Sequence, residues 1–161
     1  MFETYPKINP PFVRDEKTKR LIKYKWLTDE FAYLNDLDWV WTEKVDGTNI
    51  RVIWDGYTVS FAGRKDGTEI PSHLLKYLEN KFGGTENEGL FEQKFGNKNV
   101  ILFGEGYGSK INSGEQYRDD VSFILFDVEI NGLWLSRAAV SDIANYFSTE
   151  IVPRITSDDG F

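Results

Sequence analysis

From Trp39 onward the apolar positions fall into two kinds of run. Trp39-Val-Trp-Thr-Glu-Lys44 and Ile50-Arg-Val-Ile-Trp54 read as strands, and Asp55-Gly56 reads as a hairpin turn. On the return, Tyr57, Val59 and Phe61 alternate with Thr58, Ser60 and Ala62, the period of a half-buried strand. After Pro71 the period changes: Leu74, Leu75, Leu78 and Phe82 recur at helical spacing until Gly83-Gly84, and a short helix is expected near Gly89–Phe95. Val100-Ile-Leu-Phe103 and Ser122–Ile130 are strand runs, the first entering Gly104-Glu-Gly-Tyr-Gly108. Asn131-Gly132 turns the second into Leu133-Trp-Leu135. Ser136 suits an N-cap for a helix whose apolar face is Val140, Ile143, Ala144 and Phe147. The first ~30 residues are expected to be irregular, with Pro6, Pro10 and Pro11 opposing an early helix. The pattern predicts an α+β fold, mainly antiparallel sheets with flanking helices, without repeat or linker.

At 161 residues the chain has room for one domain, 1–161, and its 40% hydrophobic content, with 5 Trp, 8 Tyr and 12 Phe, excludes disorder, a coiled coil and a low-complexity tail. With no Cys, thiol catalysis, iron–sulfur clusters, thiolate zinc sites and disulfides are excluded. The single histidine, His73, excludes a multi-histidine metal site and reads as a helix-surface residue. An early charge, paired prolines and the lack of a long apolar run argue against a signal peptide or membrane span, so a soluble, cytoplasmic protein is expected. A formal charge of −7 is the wrong sign for holding nucleic acid by bulk electrostatics. Any such contact must be local, and Lys17, Lys19, Arg20, Lys23 and Lys25, interleaved with Leu21, Ile22, Tyr24 and Trp26, are the candidate patch, although a solvated edge has the same composition.

The chemistry concentrates in Thr42-Glu-Lys-Val-Asp-Gly-Thr-Asn49, where a lysine at the end of an apolar strand is followed by an acid, a glycine and two small polar residues. Strand ends hold side chains rigidly and glycine admits a phosphate close to the backbone, which suits a lysine nucleophile aimed at phosphate. Spacing alone equally fits a surface lysine beside a turn. A lysine of ordinary pKa, about 10.4, is neutral in roughly one molecule in 2,500 at pH 7, a deficit of about 4–5 kcal/mol that desolvation or neighbouring cations must offset for attack.

Lys44-Val-Asp-Gly47 resembles the K-x-D-G motif of the covalent nucleotidyltransferases: ATP-dependent DNA ligases, RNA ligases and mRNA capping enzymes. Phe61-Ala-Gly-Arg64, Leu102-Phe-Gly-Glu105-Gly-Tyr-Gly and Phe123-Ile-Leu-Phe126-Asp-Val follow in that superfamily's order, and Glu-Lys-x-Asp-Gly-Thr-Asn is most similar to the phage-type RNA ligase branch. The resemblance spans roughly Trp39 to Leu135. It implies a ligase-type, ATP-grasp-like nucleotidyltransferase domain whose N-terminal portion is this chain. It also implies an ATP-dependent RNA ligase that carries AMP on Lys44 and joins RNA 5′-phosphate to 3′-hydroxyl ends, in the context of RNA repair.

The remaining roles come with the resemblance. Glu43, on the strand face opposite Lys44, would line the adenine pocket; Asp46 would belong to the nucleotide site; Gly47 would give close approach; and Asn49 would position phosphate or RNA end. Arg64 would meet ribose or phosphate, Glu105 would accept hydrogen bonds from ribose hydroxyls, and Phe126 would stack on adenine. Read alone, Glu105 also fits a turn acid and Phe126 a core aromatic. ATP with Mg²⁺ or Mn²⁺ would be the cofactors, with no metal ligand assigned, and RNA ends, including a nicked duplex or hybrid, the partner. The superfamily's two later motifs have no candidate before Ser157-Asp-Asp-Gly-Phe161, so a truncated domain is expected. A non-catalytic module binding a nucleotide or RNA end is the alternative.

Overall fold

The computed structural model describes residues 4–112 and 116–155. In chain order its elements are β1 (Phe12–Arg14), β2 (Leu21–Trp26), α1 (Asp29–Leu34), β3 (Trp41–Thr42), β4 (Thr48–Trp54), β5 (Val59–Gly63), α2 (Ser72–Phe82), α3 (Gly84–Phe95), β6 (Val100–Gly108), β7 (Val121–Ile130), β8 (Leu133–Trp134), α4 (Arg137–Tyr146), β9 (Glu150–Ile151) and β10 (Arg154–Ile155). Two compact units result, one from Pro6 to Trp41, the other made of the chain from Thr42 onward together with the N-terminus through Tyr5.

The larger unit is built on a mixed sheet in the order β5-β4-β6-β7-β8, with β9 parallel to β7 and the remaining pairs antiparallel. The strand pleat sets its two faces. Ile50, Val52, Trp54, Leu102, Phe123, Leu125 and Val128 point to one side, where Leu74, Leu78 and Phe82 of α2, Phe91 and Phe95 of α3, and Val140, Ile143 and Ala144 of α4 close the main core. Burying a side chain of this size contributes about 1.5–3 kcal/mol. Because that face is apolar, a one-residue slip in register would carry it to the other side, so packing also fixes which residues face away from the helices. Those are Asn49 and Arg51 of β4, Phe103, Glu105 and Tyr107 of β6, and Ser122, Ile124 and Asp127 of β7, paired across the ladders as Asn49↔Glu105, Glu105↔Ile124 and Phe103↔Asp127.

Several sequence expectations change. The N-terminal segment is not irregular: β1 and β2 pair as an antiparallel ribbon followed by the short helix α1, since the prolines lie ahead of both strands. The run Trp39–Lys44 is a strand only at Trp41–Thr42, so Lys44 lies on the connection Glu43–Gly47 rather than on a strand. The glycine pair both ends α2 and starts α3 at Gly84, whose φ of +80° turns the chain, making the second helix longer than Gly89–Phe95. Ser136 caps α4, its hydroxyl accepting from the Ala139 N–H at 3.4 Å, and His73 is exposed on α2. The terminal Ser157–Phe161 lies outside the described residues.

Candidate active site

The connection carrying Lys44 is held from both sides. The Glu43 N–H donates to the Pro153 carbonyl at 3.1 Å, the Asp46 N–H to the Tyr117 hydroxyl at 3.4 Å, and Asn112 Nδ2 to the Gly47 carbonyl. Val45 is the buried anchor between them, packed with Tyr107, Ile124, Val152 and Phe126. With Val45 turned in, Lys44 and Asp46 are exposed and Glu43 is half-buried. The rigidity expected of a strand end is thus supplied by a pinned loop.

Gly47 is required there by β6. A Cβ on it would stand 2.3 Å from the Gly106 carbonyl oxygen and 2.9 Å from Glu105 Cγ. The close approach this glycine permits is between its own backbone and the strand carrying Glu105. One consequence is electrostatic: the Gly47 N–H donates to the Glu105 carboxylate, and Lys44, Asp46 and Arg64 all act on it through space. Burial raises the Glu105 carboxyl most, and neighbouring Asp46 adds to this. Lys44, the Gly47 N–H and Arg64 oppose both, leaving it pushed up to about 7. Opposite it across the ladder, Asn49 Oδ1 is buried with no hydrogen-bond partner among the described residues.

Arg64 follows β5 directly and is exposed. Its turn is tied down by Arg51, fully buried, whose Nε donates to the Gly63 carbonyl at 2.9 Å and whose Nη2 meets Asp66 Oδ1 at 2.6 Å. Phe126 is the extra residue of a β-bulge, since Phe103 pairs with Asp127 while Gly104 pairs with Leu125. It is half-buried against both small clusters on this face, with the Tyr5 ring edge-on at 4.8 Å. The Tyr5 hydroxyl donates to Asp127 Oδ2 at 2.6 Å. Burial pushes both groups up, and for the Tyr5 hydroxyl the Asp127 carboxylate adds to the shift.

Lys44, Asp46, Gly47, Asn49, Arg64 and Glu105 therefore gather at one end of the helix-free sheet face, while Glu43 and Phe126 flank them through Val45. With that arrangement in place, the comparison with known proteins is specific: the model of the RNA ligase family matches residues 37–159. The chain belongs to the RNA ligase family. The β1–β2 ribbon lies outside the match.

Solved structures with the same fold include the Naegleria gruberi RNA ligase with PPi (TM-score 0.55, 21% identity) and variants of that RNA ligase with AMP and Mn (0.56, 20%) and with ATP and Mn (0.55, 21%). Each match covers 71% of this chain and 35% of the other, so the chain spans about a third of the length of those RNA ligases. No curated protein matches.

The RNA ligase motifs did not reveal the supports of this site: Arg51 and Asp66 behind Arg64, Asn112 and Tyr117 on the Lys44 loop, and Tyr5 beside Phe126. Only Arg51, a charge inside a run of buried strand residues, carried a signal in the sequence. Among the described residues no group of three or more His, Asp or Glu forms a metal cage. The donor set fits a hard cation shared with a ligand's phosphates, which keeps several waters and needs only one or two carboxylates. Asp46 and Glu105 are the adjacent pair.

Proposed function

We propose that this domain is the nucleotide-transferring part of an ATP-dependent RNA ligase, with Lys44 as the nucleophile. The observation that carries the reading is the gathering of the Lys44–Gly47 loop and the Gly63–Arg64 strand end beside Glu105 at one end of the sheet. Exposed Lys44, its ammonium proton released to water, attacks the α-phosphorus of ATP and gives up a second Nζ proton to water as the bond to phosphorus forms. A P–N bond forms from Nζ while the bond from that phosphorus to the bridging oxygen breaks, its electron pair leaving with pyrophosphate. The AMP so held then passes to the 5′-phosphate of an RNA end, and a 3′-hydroxyl displaces AMP to complete the join. Covalent capture divides one hard displacement into easier ones.

The other side chains bind and orient. Glu105 receives the ribose hydroxyls, Arg64 forms charge-assisted hydrogen bonds to ribose or phosphate, and Phe126 with Glu43 borders adenine. Asn49 turns its unpartnered oxygen to a donor on the nucleotide or RNA end. Asp46 and Glu105 would hold Mg²⁺ or Mn²⁺ with the phosphates, and the cation supplies neutralisation of the charge that builds on them. The neighbours solved with ATP, AMP, PPi and Mn support this ligand class.

The test uses ATP labelled in its α-phosphate. Label becomes bound to the protein in the presence of Mn²⁺ and moves to RNA when a 5′-phosphorylated strand is added. Binding of ATP without label transfer would instead favour a non-catalytic nucleotide-binding module.

A further inference from the structure

The β1–β2 ribbon carries a feature that the nucleotide site does not use. Phe12 pairs with Trp26 and Arg14 with Leu21, so Ile22, Lys23, Tyr24 and Lys25 stand opposite the single residue Val13. This wide bulge pushes Lys23-Tyr24-Lys25 out of the ladder. Tyr24 sits at φ +63°, a left-handed conformation unusual for an aromatic residue. Strain of that kind at an exposed position, with a single edge-on ring contact to reward it, points to use rather than stability. The ring touches Phe12 edge-on at 6.3 Å and is otherwise open, with 83% of the residue exposed.

Charge concentrates at the same place. Between Arg14 and Lys25 there are six basic and two acidic side chains, in a chain of formal charge −7. Asp15 is turned inward, accepting from the Lys17 and Thr18 N–H groups and the Thr18 hydroxyl, and Arg14 donates to the Lys19 carbonyl. Lys17, Lys19, Arg20, Lys23 and Lys25 are all exposed, and none makes an ion pair among the described residues.

From this geometry we infer that the ribbon is a binding site for single-stranded RNA, with one base stacked on Tyr24 and the flanking phosphates on Lys23 and Lys25. An aromatic face between cations is what a flexible strand of alternating base and phosphate requires. A lipid surface would ask for a larger aliphatic face than Leu21 and Ile22, 42% and 37% exposed, provide beside the lysine and tyrosine tip. The choice of RNA over other single strands rests on the ligase reading; the stacking platform does not.

The experiment measures binding of a short labelled RNA by fluorescence anisotropy, beside a strand of the same length lacking its bases. Tyr24→Gly removes the ring and suits the positive φ, so the bulge survives it; Tyr24→Trp keeps a platform. Loss of one stacked base predicts affinity about 5- to 150-fold weaker for Tyr24→Gly, near wild-type affinity for Tyr24→Trp, and no effect of either change on the base-free strand. Gln at Lys19, Arg20 and Lys23 should flatten the log–log salt slope by about 0.7 for each phosphate that is no longer neutralised. Equal affinity of Tyr24→Gly and wild type for RNA, equal losses on the base-free strand, or Tyr24-dependent binding to anionic vesicles but not RNA would overturn the inference. AMP transfer to Lys44 is followed separately in the wild type: transfer without Tyr24-dependent binding sinks the ribbon alone, and Tyr24-dependent binding without transfer sinks the ligase reading alone.

Discussion

Asn49 and Glu105 face each other across the β4–β6 ladder, one with a buried amide oxygen that has no hydrogen-bond partner among the described residues and the other with a carboxyl pushed up to about 7. Both are costly in a protein without ligand. An unsatisfied buried acceptor costs about 1–3 kcal/mol, and burial disfavours the carboxylate. A fold that retains both beside Lys44 has them available for a ligand that supplies donors and cations.

Replacing Asn49 by Ala should therefore separate stability from binding. Without nucleotide, thermal stability is expected to hold or rise slightly, because the orphaned acceptor is gone. ATP affinity measured by calorimetry should fall at least about tenfold, the value of one lost hydrogen bond to a charged or well-fixed partner. Loss of stability with unchanged affinity would make Asn49 a purely structural residue.

The Glu105 carboxyl also gives stability a pH dependence of known sign. Between its ordinary value of 4.5 and about 7, the folded protein keeps a proton that the unfolded chain has released. The folded state thus binds more protons, and its stability falls as pH rises through that window. Glu105→Gln removes the effect. Its melting temperature should match the wild type near pH 4.5, exceed it increasingly up to pH 7, and keep a constant lead above. A constant difference at all pH values would mean that Glu105 titrates normally.

Asp66 is expected to matter more than its exposure suggests, because its partner is buried Arg51. Truncation to Ala takes a charge-assisted hydrogen bond from a fully buried guanidinium, which should cost about 1.5–3 kcal/mol in denaturant unfolding. Since the same pair ties down the turn before Arg64, nucleotide affinity should fall as well. Lys65→Ala, in the same turn, should change neither.

Gly47→Ala places a methyl group 2.3 Å from the Gly106 carbonyl oxygen, which belongs to the backbone of a paired ladder where Gly106 faces Thr48. The start of β4 must move, with a stability loss of about 1–3 kcal/mol and a shift of Glu105 relative to Lys44. AMP transfer should fall by more than the stability loss explains. Gly67→Ala, with no atom within 4 Å of its Cβ, tests backbone strain alone at its φ of +79°.

The sheet was legible in the sequence because Tyr57–Ala62 alternates as a half-buried strand must, while Ile50–Trp54, Val100–Phe103 and Ser122–Ile130 are apolar-rich runs of strand length bounded by turn residues. The ribbon was not: Tyr24 breaks the alternation in β2, and the prolines before it suggested irregular chain. The order of four short motifs brought Lys44, Arg64, Glu105 and Phe126 into one candidate site, and Lys44, Arg64 and Glu105 do converge on one sheet end, with Phe126 beside it in a bulge. What holds them was hidden, because Arg51 with Asp66, Tyr117 with Asp46, and Asn112 with Gly47 are pairings between separated positions that no local period encodes.

The central claim is that Lys44 is the nucleophile that receives AMP, and the most direct measurement is the site of AMP attachment. Adenosine 5′-phosphorimidazolide presents the same α-phosphorus with imidazole as leaving group, so capture does not depend on contacts to departing pyrophosphate. Peptide mapping by mass spectrometry should find AMP on Lys44, competed away by ATP and absent in Lys44→Ala. Adducts spread over the exposed lysines, insensitive to ATP and undiminished in Lys44→Ala, would contradict the account.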